Sequence, residues 1–375
     1  MNSPPEFDVL VAGAGPAGCA TALTLRQQAA AARILLLEPG NYPRHKVCGE
    51  FVSDEGIAAL HRLFTPAELA PLLQSAPRIE QLRIFIEGSC FRANIKPAAY
   101  SIPRFQLDAF LWQACRSRGI DCRQATAQQI QSEDVGSSAV FSGTESISAM
   151  SVVNAAGRWS RLSATQAANK TNGNAKWIGL KAHFHFDEPH PDASVDLYFF
   201  AGGYCGVQPV GDHAVNVCAM VRSDAATNLS DVFALHPALT ERNRNWRQAT
   251  ELVSTAPLVF HQPQPLNGNV VNVGDAAAFI DPFLGDGITL ALLSGNLAGE
   301  SLSQWLRDGL THEDALADYQ RQYQRHLTPL FRRAARLRDV IDLPRPLRSL
   351  ALQAMRVPAL ANFLVRQTRA SRLSA

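Results

Sequence analysis

Several features that would narrow the field at once are missing from this 375-residue sequence. Its seven cysteines (Cys19, Cys48, Cys90, Cys115, Cys122, Cys205 and Cys218) form no CxxC pair, and an odd number argues against a closed disulfide framework. No run of eighteen apolar residues exists, which excludes a transmembrane helix. The N-terminal stretch MNSPPEFDVLVAGAG has no basic segment ahead of its apolar run, so it is not expected to be a signal peptide. A formal net charge of only +2 makes no case for nucleic-acid binding, and no repeat or low-complexity segment is present. A reducing cytoplasm is the expected setting, with any membrane contact peripheral.

What is present is ample apolar material. At 46% hydrophobic the chain has enough for a large core, and its length suits two or three compact units. Charge is unevenly spread. Residues 325–375 hold eleven arginines, no lysine and two aspartates, a local balance of +9, so the remainder carries −7.

FDVLVAGAGPAGCATALTLRQQ begins with an apolar run from Phe7 to Val11, the pattern of a buried parallel strand. It breaks into Gly13-Ala14-Gly15-Pro16-Ala17-Gly18 and continues as an alanine- and leucine-rich helix. A second apolar run, RILLLEPG, reaches an acid at Glu38. A lone GxGxxG is weak, but strand before, helix after and an acid about twenty residues on make a dinucleotide site. Gly13 permits the tight turn, Gly15 lets the backbone approach a pyrophosphate, and Gly18 lets helix and strand pack closely. The helix N-terminus, entered at Pro16 and Ala17, offers N–H groups to the phosphates, and Glu38 accepts from the adenosine ribose.

That motif does not choose between NAD and FAD. The choice comes from VVNVGDAAAFIDPFLGDGITLALLSGNLAGESL, residues 270–302, another strand ending in Gly274-Asp275, a Pro- and Gly-rich loop, then a long helix. This closely resembles the GD motif and following helix of the flavoprotein family of aromatic hydroxylases, geranylgeranyl reductases and flavin-dependent halogenases. The resemblance implies that Asp275 binds the ribityl chain of FAD. It also implies that Asp281, Pro282, Gly285, Gly287 and Ile288 run along the isoalloxazine, with the helix start facing its pyrimidine end. A helix N-terminus there suits an anionic reduced flavin. A third match, YSIPRFQLDAFLWQACRSRGIDC, makes Arg104 a flavin or pyrophosphate contact, and Arg44 is counted with the cofactor-binding residues.

One departure from the family concerns VVNAAGRWSRLS, where hydroxylases carry an Asp-Gly pair. Here Ala156 precedes Gly157, while Ser160 remains. Since that acid is tied to NAD(P)H as well as FAD, direct reduction by NAD(P)H is put in doubt, and a separate reductase or carrier is expected to supply electrons.

The implied fold class is α/β: a Rossmann-type FAD-binding domain, an inserted, mostly antiparallel β substrate domain, and a C-terminal helical segment. The FAD-binding domain is expected over 1–75, 100–170 and 256–320, the substrate domain over 76–99 and 171–255, and a helical cap over 321–375. WIGLKAHFHFD places Ile178, Leu180, Ala182, Phe184 and Phe186 on one strand face and Lys181, His183 and His185 on the other. With no third ligand evident, the histidines are read as a solvated strand face rather than a metal site, and no metal is expected.

PRHKVCGEF, residues 43–51, resembles the K-x-C-G loop of the geranylgeranyl reductases, which places Cys48 beside the flavin. A thiol with an ordinary pKa of about 8.5 is positioned there either to donate a proton or to pack on the ring. Alternatively Arg44 and Lys46 stabilise its thiolate, and Glu50 holds the far side of the loop. The other six cysteines read as small buried hydrophobes. Where tryptophan halogenases have Trp-x-Trp-x-x-Pro, this chain has Tyr204-Cys205-Gly206-Val207-Gln208-Pro209, which argues against tryptophan-type halogenation. Tyr204 either shapes the pocket, donates a proton or packs in the core.

From residue 313 a long helix is expected, with Leu316, Tyr319, Tyr323, Leu327, Leu330 and Ala334 on one stripe. The basic end beyond it suits an anionic membrane surface or acidic carrier protein, or caps the FAD domain. The resulting expectation is an FAD-dependent oxidoreductase of the geranylgeranyl-reductase-like branch, reducing or dehydrogenating a largely apolar isoprenoid, polyene or polyketide-like molecule. A monooxygenase (less so a halogenase) and a non-catalytic flavin-binding carrier are the alternatives.

Overall fold

The computed structural model describes residues 4–86, 88–133, 137–142, 145–158, 162, 176–187, 193–255, 257–258, 262–279 and 285–332. Asp281, Pro282, Ser160, Ala334 and the arginine-rich end lie outside the described residues. Two sheets organise the rest. The first has a parallel centre in the order Val270–Asn272, Glu145–Asn154, Phe7–Ala12, Ile34–Leu37, Asp121–Arg123. Leu266–Asn267 closes one edge, and the hairpin Gln129–Glu133 and Ser137–Ser142 joins the side of Glu145–Asn154.

The register fixes where the site must be. Ala12 pairs with both Leu37 and Asn154, and Asn154 with Asn272, so four strands end at one level. The segments that follow them, Gly13, Glu38, Ala155 and Gly274, therefore meet at the carboxyl edge, the crevice where open α/β sheets bind ligands. The helix Pro16–Gln28 is buried without interruption from Pro16 to Leu25, packed between this sheet and the helix Gly287–Asp308. Gly295 and Gly299 permit that approach: a Cβ at Gly295 would lie 2.3 Å from the Ala17 carbonyl oxygen.

The second sheet runs Arg247–Gln248, Trp177–His185, Ala214–Arg222, Gly203–Gly211, Ser194–Phe200, Arg78–Ile86, Ser89–Ser101, Phe51–Val52, with Val253–Thr255 also on Trp177–His185. All pairs are antiparallel except Ser194–Phe200 with Arg78–Ile86. Leu180, Ala219, Cys205 and Tyr198 share its outer face, packed on the short helices Leu229–Ala234 and Pro237–Arg242. Lys181, Cys218, Gly206 and Leu197 share the inner face, whose neighbours Tyr204 and Met220 cluster with Phe279 from the first domain. The inner face thus looks toward the carboxyl edge of the parallel sheet.

Three expectations need correction. Lys181 is 0% exposed and His183 7%, so only His185 of that trio meets solvent. Alternation separates the two faces of a strand but does not say which is wet, and this sheet is covered on both. Cys90 is exposed rather than buried. The long helix expected from residue 313, ended by Pro344 and Pro346, spans His312–His326, turns at Leu327 and resumes over 328–332, the last described residues there, because Pro329 has no N–H to offer the Arg325 carbonyl. Its stripe is nevertheless buried at Leu316, Tyr319, Tyr323, Leu327 and Leu330, and the Tyr319 hydroxyl donates to the Asn272 carbonyl at 2.7 Å.

Candidate active site

The glycine loop forms a cradle. Gly13 has φ +109°, where a Cβ would meet the Ala155 carbonyl oxygen at 2.4 Å, and a Cβ on Gly18 would lie 1.9 Å from the Gly13 oxygen. A Cβ on Gly15 would meet nothing within 4 Å. The open side of this turn therefore lies at Gly15, the place a pyrophosphate takes, and Pro16 opens the helix with no side-chain cap on its first turn. Ala17 is buried beneath, its Cβ 2.9 Å from where one on Gly274 would stand.

Glu38, 3% exposed, accepts from the Ala14 N–H at 3.0 Å and the Gly40 N–H at 3.2 Å, and is ion-paired with Arg44. The Tyr42 hydroxyl donates to the Ala14 carbonyl at 2.7 Å and lies 3.2 Å from Glu38 Oε2. Across the crevice, Asp275 pairs with Arg158 at 3.4 Å, and the Arg158 guanidinium stands 4.3 Å from the Phe279 ring centroid. Gly274 donates its N–H to Ser294 Oγ at 2.9 Å. Gly285 has φ +76° against the Phe51 ring, and Gly287 and buried Ile288 begin the long helix. The cradle, acid and second strand end fit a dinucleotide. Arg158 was missed by sequence reasoning, although it directly follows the Ala156-Gly157 departure.

Cys48 is half-buried on the segment linking Glu38 to Phe51–Val52. Its thiol accepts from the Glu50 N–H at 3.3 Å, and Asn216 Nδ2 holds the carbonyls of Cys48 and Gly49 at 3.0 and 2.9 Å. Arg44 and Lys46 do not set its field. Arg44 is spent on Glu38, and Lys46 reaches buried Asp108 at 3.0 Å. The cation whose charge acts most on Cys48 is Arg104, itself doubly bonded to Asp108 at 2.7 and 2.8 Å. Burial pushes the Cys48 thiol above its ordinary value, and Arg104 only partly opposes this. Burial would likewise raise the Asp108 carboxyl, but Arg104 and Lys46 outweigh it and hold it low. The Arg104–Asp108 pair was legible as an i,i+4 spacing on the helix Arg104–Ser117.

Glu50 carries more than the loop's far side. Among the described residues it is the one non-glycine with positive φ, +61°, and it is fully buried. Its Oε1 accepts from Lys181 Nζ at 2.9 Å and the Arg104 N–H at 3.0 Å, while Oε2 lies 2.7 Å from His183 Nε2. Lys181 Nζ also lies 3.0 Å from His45 Nδ1, and the His45 and His183 rings meet edge-on at 5.0 Å. Burial works to raise the Glu50 carboxyl, yet His183 and Lys181 hold it below its usual value. His45 is pushed down by burial, then by Lys181 and His183. His45, Glu50 and His183 have metal-ligand chemistry, with their ligand atoms within 4.8 Å of one another. However, the Lys181 ammonium already bonds two of the three.

Beyond this polar end the inner face is apolar. Tyr204 is 7% exposed, 5.5 Å from Phe199 between ring centroids, and packs with Leu197, Met220, Leu258 and Phe279. Gly206 leaves the wall flat beside Leu197, and Gln208 Nε2 donates to Ser101 Oγ at 2.6 Å.

A family model described as lycopene cyclase protein matches residues 8–192. The chain is 26% identical over 357 residues to a digeranylgeranylglycerophospholipid reductase of Methanocella arvoryzae, covering 90% of this chain and 87% of that one. It is 25% identical over 393 residues to a menaquinone reductase of Mycolicibacterium smegmatis, covering 98% and 91%. In fold it matches a geranylgeranyl bacteriochlorophyll reductase-like protein of Thermoplasma acidophilum with TM-score 0.75 at 18% identity, over 96% of this chain and 95% of that one. A flavin-dependent brominase matches with TM-score 0.76 at 18% identity, over 96% and 93%. Over nearly the whole chain the protein is similar in sequence to these reductases, and it shares its two-sheet fold with the geranylgeranyl reductase-like protein and the brominase; it is an FAD-dependent oxidoreductase.

Proposed function

We propose that this FAD-dependent oxidoreductase reduces carbon–carbon double bonds in a largely apolar, isoprenoid-type small molecule. The observation that carries the reading is the inner sheet face, where Tyr204, Leu197 and Met220 form an apolar wall on the side of the parallel sheet's carboxyl edge, with Phe279 of the first domain packed beside them. Such a wall suits a hydrocarbon chain better than a polar metabolite. The two relatives compared above are named for a digeranylgeranyl lipid and for menaquinone, which supports the same substrate class.

FAD, when bound, supplies hydride transfer. The chain's own contribution is to hold and enclose it. Gly15 and the start of Pro16–Gln28 would hold the pyrophosphate, Glu38 the adenosine ribose, and Asp275 with Arg158 the ribityl chain. Gly285 and Gly287 would offer backbone N–H groups to the flavin, with Arg104 and the Cys48 loop as its neighbours. The raised thiol of Cys48 makes it a packing neighbour first and a weak acid second. Because Ala156 stands where hydroxylases carry an acid, electrons come from a separate reductase or carrier rather than directly from NAD(P)H.

The test uses the FAD-loaded protein, reduced with dithionite without air and incubated with a digeranylgeranyl phospholipid. The reading expects a product heavier by two hydrogens per double bond. A product carrying added oxygen or halogen, formed only in air, would replace it with the monooxygenase or halogenase reading. Unchanged lipid under both conditions, with flavin bound, would reject the substrate class.

A further inference from the structure

The Glu50 cluster has no task in the reading above, although its composition is unusual. Burying a carboxylate is costly unless it is paired, and arginine pairs it most securely. Here the sequence instead supplies Lys181 and His183, with His45 behind them, all groups able to exchange a proton.

The hydrogen bonds fix the protonation pattern. An ammonium only donates, so Lys181 gives one N–H to Glu50 and another to His45 Nδ1, leaving the His45 proton on Nε2. Glu50 Oε2 accepts, so His183 donates from Nε2. His183 Nδ1 then has no hydrogen-bond partner among the described residues. It belongs to the inner face, paired in register with Asn216. Asn216 is 1% exposed, and its Oδ1 is buried without a hydrogen-bond partner. A ring nitrogen with no protein partner and a buried orphan amide oxygen thus belong to neighbouring residues on the face that looks toward the flavin crevice, beside the loop of Cys48.

We propose that His183 is the acid–base residue of this site, working through Nδ1, with Glu50 as its positioning residue and Lys181 as the counter-charge that keeps its proton exchangeable. The proposal rests on the reductase reading for its reaction. One alkene carbon receives hydride from the reduced cofactor, and the other receives the Nδ1 proton of His183. The π electron pair forms the second C–H bond, the imidazolium becomes neutral imidazole, and the cofactor is left oxidised. Solvent returns the proton after product leaves, and the separate electron donor restores the cofactor.

Lys181 has a specific role in this scheme. Lys181 Nζ donates to Glu50 Oε1 while His183 Nε2 donates to Oε2, so the carboxylate is shared between two donors and not given to His183 alone. The groups facing His183 are Glu50 and His45 from the loop, Lys181 from its own strand and Arg104 through Glu50, with Cys218 paired in register with Lys181.

The test has two arms. The first needs no substrate: holoenzyme labelled with ¹⁵N in its histidine rings, with His183 assigned by loss of its signals in His183→Gln. At alkaline pH the ring should be protonated on Nε2 alone, and Nδ1 should gain a proton on acidification. In Lys181→Met the doubly protonated form should persist to higher pH, and in Glu50→Gln the single tautomer should be lost. A ring protonated on Nδ1 alone, or one indifferent to Lys181→Met, overturns the proposal. The second arm is turnover. His183→Ala should lose about 10²–10⁴-fold with FAD content unchanged, and added imidazole should restore part of it. Unchanged turnover, or loss without any rescue while FAD stays bound, also overturns it. If the parent protein reduces no isoprenoid substrate, the reductase reading fails while the ring signals still decide the protonation of His183.

Discussion

Two carboxylates, Glu50 and Asp196, are fully buried on opposite faces of the same sheet, and they are paired differently. On the outer face Asp196 is clasped by Arg83 at 2.6 and 2.5 Å, by Arg242, and by Ser194 Oγ at 2.9 Å. On the inner face Glu50 meets Lys181 and His183. Guanidinium groups stay charged at any ordinary pH, so the outer cluster can only hold. Ammonium and imidazole groups can give up protons, so the inner cluster can hold and also exchange. The same acid burial serves structure on one face and chemistry on the other.

The largest expected effect separates them by stability. Asp196→Asn leaves two partly buried guanidinium groups together without their carboxylate and should cost about 3 kcal/mol in urea unfolding. Glu50→Gln should cost less, because the amide oxygen can still accept from Lys181 Nζ and the Arg104 N–H. Equal losses would break the comparison.

Glycine-loop variants apply the same division between holding and working. Gly18→Ala drives a Cβ to within 1.9 Å of the Gly13 oxygen and should damage the fold itself. Gly15→Ala has free space and a compatible φ of −72°, so it should unfold like the parent while releasing FAD. Flavin absorbance after gel filtration, read with the urea midpoint, checks both.

Much of this architecture is legible in the sequence because it depends on local signals. Gly13, Gly15 and Gly18 sit between an apolar run and a helix, and Gly274-Asp275 repeats the arrangement, so the cofactor crevice follows from spacing. The Glu50 cluster is not legible in that way. Its members come from a loop and a strand more than 130 residues apart, as the Lys181–Glu50 separation of 131 shows. Period-2 alternation marked Lys181 and His183 as one face but could not reveal that the Cys48 loop covers it. Arg104 beside Cys48 escaped for the same reason: nearness along the chain favoured Arg44 and Lys46, which are engaged elsewhere.

Cys48→Ser sharpens the comparison with a smaller effect. If His183 carries the proton, this variant should retain most turnover, since the thiol is held protonated by burial and only packs. A loss as large as that of His183→Ala would return the acid role to Cys48.

Acid sensitivity should differ least, but in a readable direction. Both carboxylates are held below their ordinary values: for each, burial raises, while His183 and Lys181 (Glu50) or Arg83 and Arg242 (Asp196) prevail. Their contributions are therefore present above pH about 4 and lost only as pH falls through the lower folded values. His45 is also depressed, so the unfolded chain takes up its proton first, and stability falls as pH drops below about 6.5. His45→Gln should lessen the fall of the urea midpoint between about pH 6.5 and 5, with His236, His312 and His326 keeping part of it, whereas Asp196→Asn should leave that slope unchanged.

The most direct measurement of the central claim is a single turnover in the absence of air. Protein reduced to colourlessness is mixed rapidly with a digeranylgeranyl lipid, which has no quinone to take electrons by another route. The yellow absorbance of oxidised flavin should return without oxygen, fast in the parent and about 10²–10⁴-fold more slowly in His183→Ala. A parent spectrum that stays bleached until air is admitted would contradict the account.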